Sequence, residues 1–468
     1  MYLLYSALAV LALLLSSPVW LLRMLRHGKY RAGLGERLGR VPARLRQPER
    51  RPTIWVHAVS VGEVLAISGL ISELQPRAPS YRIVISTTTL TGQKLARDRF
   101  GEANVFYFPL DFAFAVRPYL RALRPELVII AETEFWPNFL RLARQSGARV
   151  AVVNARISDR SFPRYRCFRT LIAPALHEVD LFLAQSDEDR RRLIEIGAPA
   201  ERVQVSGNLK FDLKPPAESP LVAQLKSALT NVRFVEGTVE GDVEGAPHLP
   251  GFGKCGSFPV LVCGSTVEGE ESIVLRAFAA VRERFPKALM IVAPRHPERF
   301  AQVAELLAAS GVHSWRRSQW DASQPIGPGI LLLDTIGELA STYALADIAF
   351  VGGSLVPKGG HNILEAAQHG VAIVVGPHTE NFRDMVALFR HADAVVIANA
   401  DELAPTFQNL LADQTRRHRL GARAREILCA NSGATARTLA ALESLLAERT
   451  AAATARAAAS KISPRLET

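Results

Sequence analysis

The amino-acid sequence predicts an α/β protein with two doubly wound domains, each built on a parallel sheet. Short apolar runs rich in Val and Ile alternate with helical patterns, which is typical of βαβ units. These runs form two series, within residues 53–186 and 259–399. Between the series, residues 231–258 contain six Gly and four acidic residues and lack sustained periodicity. This break indicates a linker between the two domains.

The predicted strands lie at intervals that leave room for a helix between them. In the first series they are TIWVHAV (53–59), RIVISTTT (82–89), NVFYFP (104–109), LVIIAET (127–133), RVAVVNA (149–155) and LFLAQS (181–186). In the second series they are PVLVCGST (259–266), ALMIVAPR (288–295), ILLLDT (330–335), IAFVGGS (348–354), VAIVVGP (371–377) and AVVIAN (394–399). Ligands bind beyond the carboxyl ends of such strands, so the polar residues that close these runs are the candidate site residues.

The composition is that of a globular protein. The chain has 468 residues, which suffices for about two to four domains. Hydrophobic residues make up 48% and charged residues 22%, which argues against a disordered chain or a polytopic membrane protein. Four cysteines include no C-x-x-C pair and eleven histidines include no H-x-x-x-H pair, so we expect no disulfide framework, metal or other cofactor.

The amino-terminal segment predicts contact with a membrane. Residues 1–22 carry no charge and are long enough to cross a bilayer core of about 30 Å. Residues 23–51 hold ten Lys or Arg and two acids, so they account for +8 of the net charge of +11. We therefore expect an anchor that either spans a membrane or lies in its interface, with the basic segment against anionic headgroups and the chain after Leu22 on the cytoplasmic side. A signal peptide is disfavoured because no Lys or Arg precedes the apolar run. Nucleic-acid binding is also disfavoured, since the basic charge is confined to this flank.

These observations define the predicted domain boundaries. The segments are a membrane anchor at 1–22, a basic juxtamembrane segment at 23–51, an amino-terminal Rossmann-like domain at 52–230, a linker at 231–258, a carboxyl-terminal Rossmann-like domain at 259–448 and an Ala-rich, partly disordered tail at 449–468.

The first strand is followed by a candidate general base. Apolar residues recur at helical spacing from Val64 onward, so a helix begins near Gly62 and Glu63 lies in its first turn. Two interpretations stay open. Ser60 and Glu63 have the spacing of a capping box, which only stabilises a helix start. A carboxylate at a strand-to-helix turn could equally serve as a general base.

Two further groups in the first half are candidates. Glu132 and Glu134 follow the fourth strand, where paired acids indicate a site, although a solvated loop with Trp136 plugging the core is an alternative. Lys210 follows a glycine turn, where a cation could stabilise developing negative charge, although a single Lys usually lies on the surface.

The second half carries features suited to a nucleotide. The GST run at 264–266 opens a helix whose N–H groups could accept an anion, Arg295 offers a guanidinium for phosphate, and Gly337 with Glu338 forms a strand-to-helix turn. In the segment 351–370, Asn362 and Glu365 share a helix face, so the carboxylate could bind ribose hydroxyls and the amide could hold phosphate. A glycine hinge is the alternative. No G-x-x-x-x-G-K-[ST] loop or dinucleotide fingerprint is present, which disfavours ATPase and dehydrogenase activity.

Eight motifs follow one another along the chain: HAVSVGEV, ETEFWPN, NARIS, SGNLKFD, PRHPERF, DTIGEL, FVGGSLVPKGGHNILEAAQHG and GPHTENF. In this order and spacing they resemble those of one enzyme family, the 3-deoxy-D-manno-octulosonic acid (Kdo) transferases of lipopolysaccharide synthesis. The resemblance covers roughly residues 20–440. It implies the GT-B glycosyltransferase fold, two Rossmann-like domains facing a cleft, with an amino-terminal membrane anchor. It also implies transfer of Kdo from CMP-Kdo to a tetraacyl disaccharide lipid A precursor.

The resemblance assigns a role to each matching position. Glu63 matches the general base, and Glu132 and Lys210 match residues that stabilise the transition state. The positions that match the segments binding the CMP part of the donor are Pro294, Arg295, Ile336, Gly337, Glu338, Asn362, Ile363, Leu364 and Glu365. Two departures stand out: residues 231–258 are longer and richer in Gly than the family's link, and Val267 lies where the family commonly has histidine. A sugar-nucleotide epimerase of the same architecture and a non-catalytic membrane-tethered binding protein are the alternatives.

Overall fold

The computed structural model describes residues 1–27, 32–46, 51–213, 219–236, 258–321 and 324–462, with side chains except at 18–27, 230–236 and 449–462. The chain folds into two compact units. Unit 1 comprises Met1–Asp212 and Asn431–Thr468, and unit 2 comprises Leu213–Ala430.

Each unit contains one seven-stranded sheet. The strands of unit 1 are β1 (Thr53–His57), β2 (Arg82–Thr87), β3 (Val105–Tyr107), β4 (Pro125–Ala131), β5 (Arg149–Ala155), β6 (Leu181–Ala184) and β7 (Val203–Val205). Those of unit 2 are β8 (Val260–Thr266), β9 (Leu289–Pro294), β10 (Ser314–Arg316), β11 (Gly329–Leu332), β12 (Ile348–Val351), β13 (Ala372–Val375) and β14 (Val395–Ile397).

Helices connect the strands. In chain order they are α1 (Tyr2–His27), α2 (Leu34–Arg37), α3 (Val61–Arg77), α4 (Leu90–Phe100), α5 (Ala113–Leu123), α6 (Pro137–Gln145), α7 (Phe162–Cys167), α8 (Arg169–Leu176), α9 (Asp187–Glu195), α10 (Pro220–Glu236), α11 (Glu270–Arg284), α12 (Phe300–Ala309), α13 (Leu339–Thr342), α14 (Leu364–Gln368), α15 (Arg383–His391), α16 (Leu403–Ala412), α17 (Gln414–Ala430) and α18 (Ala434–Ile462).

The order of the strands is the doubly wound order that the alternating pattern predicts. Unit 1 has the order β3-β2-β1-β4-β5-β6-β7, and unit 2 has β10-β11-β9-β8-β12-β13-β14. The recorded pairings between neighbouring strands are parallel. All twelve predicted strands are therefore confirmed. The short β7 and β10 were not predicted, because their three residues lie in no sustained apolar run.

The core of unit 1 covers both faces of its sheet. On one face Trp55 of β1 is fully buried, and its ring lies 5.4 Å from that of Phe106 and 4.8 Å from that of Phe139, measured between centroids. On the other face α3 packs through a cluster of aliphatic residues. Such burial on both faces explains why the strands read as continuous apolar runs and not as alternating ones.

The last helix belongs to the first unit, which differs from the predicted boundary at residue 448. Leu439 and Leu442 of α18 are fully buried in the same apolar cluster as Val64 and Ile67 of α3. At the helix start, the Asp212 carboxylate accepts hydrogen bonds from the N–H groups of Gly433 and Thr435. The helical repeat of leucine therefore completes the core of unit 1.

The predicted linker and tail also differ from the structure. Helix α10 belongs to unit 2 and continues through Glu236, so it includes part of the predicted linker at 231–258; residues 237–257 of that linker lie outside the described residues. The predicted tail at 449–468 is helical as far as Ile462, and residues 463–468 lie outside the described residues.

The expected anchor at residues 1–22 lies within α1. Among the residues that the structure describes, no helix has both the length and the apolar character that crossing a membrane requires.

Candidate active site

The strand order locates one crevice in each sheet. In unit 1 the connections leave β1 and β4 in opposite directions, and in unit 2 those of β8 and β12 do the same. The carboxyl ends of such strand pairs are where doubly wound folds bind ligands. Glu63 follows β1 and Glu132 follows β4, whereas Gly352 and Gly353 follow β12.

Glu63 is a buried carboxyl group held at a strand-to-helix turn. Its residue is only 8% exposed and lies in the first turn of α3. The Val59 N–H donates to Oε2 at 2.8 Å, and the Ser60 hydroxyl donates to Oε1 at 2.8 Å. Burial raises the pKa of Glu63 to about 7; the two hydrogen bonds oppose this rise, and the nearby Glu132 and Glu134 carboxylates add to it. A carboxyl group with this pKa can accept a proton at neutral pH.

The contacts of Ser60 bear on the capping-box interpretation of Glu63. In a capping box the serine hydroxyl accepts a hydrogen bond from the helix backbone. Here the Ser60 side chain makes no such bond to α3, and its hydroxyl donates to the Glu63 carboxylate. The reciprocal capping box is therefore absent.

Glu132 and Lys210 form an ion pair beside Glu63. The Lys210 Nζ lies 3.0 Å from Glu132 Oε1, and the two side chains are 29% and 21% exposed. Glu132 does not continue the strand as expected, because its backbone is left-handed with φ 58. Such a conformation is strained in a non-glycine residue and is frequent at functional sites. Burial, and next the Glu132 carboxylate, raise the pKa of Glu134.

A network of amides positions the turn that carries Lys210. The Leu209 N–H donates to Asn154 Oδ1 at 3.0 Å, and the Lys210 N–H donates to Asn208 Oδ1 at 3.0 Å. Asn154 is fully buried at the end of β5 and has a left-handed φ of 54. The lysine is thus anchored from a neighbouring strand and is not a loose surface residue. Trp136 of the same site is partly buried against the core, as one of the two interpretations of its motif predicted.

In unit 2 a buried carboxylate organises the crevice. Glu270 is 0% exposed at the start of α11. Its Oε2 accepts hydrogen bonds from the N–H groups of Val267 at 3.0 Å and Gly353 at 2.7 Å. Its Oε1 accepts those of Ser354 and Leu355, both at 2.8 Å. Because the Val267 N–H is used by Glu270, the anion site expected after the GST run does not hold at that position.

Arg295 lies near enough to Glu365 to act on its charge; both residues are candidates for the nucleotide site. Arg295 is exposed after β9, which ends at Pro294. Burial raises the pKa of Glu365, and the Arg295 guanidinium opposes that rise. Burial, with smaller contributions from Arg295 and His296, lowers the pKa of His361 to about 4. A guanidinium suits the phosphate of a nucleotide, and a nearby carboxylate suits its ribose hydroxyls.

The turn after β11 exposes its backbone and fixes its acid. Ile336 is 80% exposed, and Gly337 has a left-handed φ of 91. The Glu338 carboxylate accepts hydrogen bonds from the Thr335 hydroxyl and, at 3.2 Å, from Arg317 Nη2. The sequence analysis had not identified Arg317, since an arginine outside any motif gives no signal.

The residues before α14 make contacts within unit 2. The helix begins at Leu364, later than predicted, and the Leu364 N–H donates to Asn362 Oδ1 at 3.1 Å. Ile363 and Leu364 are both 0% exposed and pack in the core, so their side chains are not exposed to a ligand.

The sequence analysis also missed the role of Glu270. The spacing from Val267 was visible, but the contacts with Gly353 lie 83 residues further along the chain. Val267 itself, which occupies the position where histidine was expected, is 6% exposed. Within the described ranges there is no group of three or more His, Cys, Asp or Glu side chains that could hold a metal ion.

Comparison with known proteins decides the family. A 3-deoxy-D-manno-octulosonic acid transferase from Bordetella pertussis is 34% identical over 92% of this chain and 96% of its own length. The enzyme of that name from Haemophilus influenzae is 32% identical over 88% of this chain and 91% of its own. This chain belongs to the Kdo transferase family. The family model for 3-deoxy-D-manno-octulosonic-acid transferase matches residues 32–213, and the resemblance seen in the eight motifs is thereby confirmed.

One solved structure agrees with the two-domain α/β fold of this member of the Kdo transferase family. A structure assigned to UDP-N-acetylglucosamine 2-epimerase from Listeria monocytogenes matches 86% of this chain and 98% of its own with a TM-score of 0.51. At 12% identity this likeness shows the fold alone. The C-terminal CMP-Kdo binding domain of WaaA from Acinetobacter baumannii is 34% identical over 44% of this chain and 98% of its own, with a TM-score of 0.36.

Proposed function

We propose that this glycosyltransferase moves Kdo from CMP-Kdo to a hydroxyl group of a tetraacyl disaccharide lipid A precursor, with inversion at the anomeric carbon. Membership of the Kdo transferase family supports the transfer of Kdo. The observation that carries the mechanism is the Glu63 carboxyl, buried after β1 with its pKa raised to about 7.

Glu63 is the general base of the proposed reaction. As the acceptor oxygen bonds to the anomeric carbon of Kdo, the hydroxyl proton passes to the Glu63 carboxylate, and the bond from that carbon to the CMP phosphate breaks. The Val59 N–H and the Ser60 hydroxyl hold the two carboxylate oxygens in place. A fixed general base whose pKa lies near the working pH raises the rate by about 10²–10⁴-fold.

Lys210 and Glu132 stabilise the transition state in this proposal. The Lys210 ammonium is partly exposed while paired with Glu132, so it can offset negative charge on the departing phosphate or on the Kdo carboxylate. The Glu132 carboxylate orients the ammonium and limits its rotation.

Unit 2 holds the donor in this proposal. Arg295 pairs with a phosphate or carboxylate oxygen, and Glu365 accepts hydrogen bonds from the ribose hydroxyls. Asn362 and the segments at Pro294, Ile336–Glu338 and Ile363–Leu364 complete the nucleotide site. Glu270 keeps the Gly353–Leu355 loop in its shape through three hydrogen bonds.

We propose that the protein acts on the cytoplasmic face of the inner membrane, where a lipid acceptor resides. Support comes from the uncharged segment 1–22 and from the basic segment 23–51, which suits anionic lipid headgroups. The epimerase alternative shares only the fold with this chain and acts on the donor without a lipid acceptor.

CMP release tests the proposed function. Detergent-solubilised protein is incubated with CMP-Kdo, with and without the tetraacyl precursor, and the lipid product is weighed by mass spectrometry. We expect release that requires the acceptor and that collapses in Glu63→Gln. The matched control is Glu73→Gln, at the other end of the same helix, which should keep full activity. Release without acceptor would contradict transfer.

A further inference from the structure

The turn that carries both contacts of Glu63 is held by the chain that follows β2. The Val59 carbonyl accepts hydrogen bonds from the N–H groups of Thr88 at 3.2 Å and Thr89 at 3.1 Å. The Thr89 hydroxyl donates to the same carbonyl at 3.2 Å. Val59 is also the residue whose N–H donates to Glu63 Oε2 at 2.8 Å. Three hydrogen bonds from the turn between β2 and α4 therefore fix a residue that holds the Glu63 carboxylate.

Thr89 connects this turn to the start of α4. It is the N-cap residue of α4, and its hydroxyl oxygen accepts a hydrogen bond from the Gly92 N–H at 3.1 Å. A hydroxyl group can donate one hydrogen bond while it accepts another. Capping the helix requires only the bond from Gly92, whereas the bond to Val59 adds nothing to the cap. The threonine thus joins the first turn of α4 to a residue that holds Glu63.

Gly92 lets α4 lie directly against the turn before α3. It is buried in the first turn of α4. A side-chain carbon at this position would lie 2.8 Å from Thr89 Oγ1 and 3.3 Å from both the Val59 carbonyl oxygen and the Ser60 carbonyl carbon. Ser60 provides the second hydrogen bond to Glu63, through its hydroxyl. Any side chain at position 92 would therefore push against both residues that hold the carboxylate.

Helix α4 and the turn are themselves fixed to β2. Gln93 of α4 is 1% exposed, and its Oε1 accepts a hydrogen bond from the Thr87 hydroxyl at 2.5 Å. The Ala58 N–H, just before the turn, donates to the Ser86 carbonyl at 3.0 Å. Because breaking a buried hydrogen bond leaves its partner unsatisfied, β2 and α4 form a rigid support for the turn.

We propose that Thr89 and Gly92 are positioning residues of the transfer reaction, which fix the Glu63 carboxylate through Val59 and Ser60. This inference rests on the proposed role of Glu63 as the general base. The placement of a base matters to the rate, since a displacement of about 1 Å can cost about 10²-fold. Neither positioning residue belongs to the eight motifs that carry the family resemblance.

The pH dependence of kcat separates positioning from simple stabilisation of the fold. Burial raises the pKa of Glu63, and the hydrogen bond from Val59 opposes that rise. A looser turn weakens this bond, so the pKa rises further. The charged groups that act on Glu63 are the Glu132 and Glu134 carboxylates, and Glu132 is paired with Lys210. Replacing an uncharged residue of α4 or its cap leaves these charges in place, so a shift then reports the geometry of the turn.

Thr89→Val removes the hydroxyl group and keeps the shape of the side chain. In the CMP-release assay with acceptor, we expect kcat at pH 7 to fall about tenfold or more. The midpoint of its pH profile should move up by about half a pH unit or more. The KM for CMP-Kdo should not change, because unit 2 binds the donor in the proposed function. Thr89→Ser keeps the hydroxyl group and should stay close to wild type.

Ser186→Ala is the matched control for the lost cap. Ser186 is the N-cap residue of α9 in the same unit, and its hydroxyl oxygen accepts a hydrogen bond from the Asp189 N–H at 3.1 Å. We expect this variant to lower the melting temperature as Thr89→Val does, but to keep kcat and its pH profile. An unchanged kcat and midpoint in Thr89→Val, or an equal loss of kcat in Ser186→Ala, would overturn the proposal.

Gly92→Ala tests the close approach of α4 by a second route. Alanine favours a helix more than glycine does, so the variant should fold. We expect the same fall of kcat and the same upward shift of the midpoint as in Thr89→Val. Gly69→Ala on α3 is the matched control, because an added carbon there meets no packing partner within 4 Å among the described residues. A Gly92→Ala variant that behaves like Gly69→Ala would contradict the positioning role.

Glu63→Gln separates this proposal from the proposed function. Activity that survives in Glu63→Gln would overturn the general base, and the positioning role with it. A collapse in Glu63→Gln, together with wild-type kcat in Thr89→Val and Gly92→Ala, would overturn the positioning role alone.

Discussion

Replacing Glu63 by glutamine should abolish transfer and at the same time stabilise the protein at neutral and alkaline pH. Glutamine keeps the size of the side chain. Its oxygen can accept from the Val59 N–H, and its amide nitrogen can donate to the Ser60 hydroxyl, which both donates and accepts. The substitution therefore removes the charge and the proton acceptor without leaving either partner unpaired. We expect kcat to fall by about 10²–10⁴.

The size and pH range of the stabilisation follow from the pKa of Glu63. The pKa rises from 4.5 to about 7 on folding. Below the lower value the group is protonated in both states, so wild type and variant are equally stable. As the pH rises toward 7 the unfolded chain ionises first, and wild type loses stability. Above pH 7 the loss is complete and amounts to about 3 kcal/mol, at about 1.4 kcal/mol per pKa unit.

Thermal unfolding at several pH values measures this effect. At pH 8 the melting temperature of the variant should lie several degrees above that of wild type, since 1 kcal/mol corresponds to about 2–4 °C for a domain of this size. At pH 4 the two proteins should have the same melting temperature. Glu73→Gln should track wild type throughout. An equal or lower melting temperature for Glu63→Gln at pH 8 would refute a buried, charge-destabilised base. In wild type, kcat should rise with pH to a plateau above about pH 7, because Glu63 must be ionised to accept the proton.

Three further outcomes are expected. Lys210→Met should lower kcat by about 10²–10³ with little change in folding, whereas Lys94→Met on an exposed face should be neutral in the same CMP-release assay. Glu270→Gln should lower the free energy of unfolding by about 2–6 kcal/mol, because an amide leaves two of the four buried N–H groups without an acceptor. The same variant should bind CMP more weakly in calorimetry. The control variant Glu268→Gln, at an exposed position, should change neither quantity. Asp212→Asn should lower the free energy of unfolding by about 1–3 kcal/mol and make proteolytic release of α18 faster. An unchanged rate of cleavage would contradict the role of Asp212 at the start of that helix.

The sequence by itself determined the two sheets, because twelve of the fourteen described strands lie in apolar runs, as is typical of the buried strands of a doubly wound fold. It also located Glu63, since a strand end and a helix start are both local patterns. The same locality accounts for the misplaced boundary at residue 448. The leucines of α18 show that a helix has a buried face, but not which unit supplies the core for it.

Only the tertiary structure decided what the polar residues do. Glu132 and Lys210 are 78 residues apart, and Glu270 and Gly353 are 83 apart, so no local spacing relates them. The strand order brings the turns that carry these residues together. Burial at those turns then raises the pKa values of carboxyl groups such as Glu63 and Glu270. The same applies to α1, whose apolar composition gives no sign of the contacts that its first turns make with unit 1. Its contacts with α6 and α8 are long-range interactions, and such interactions form only once the sheet has placed both helices on one surface.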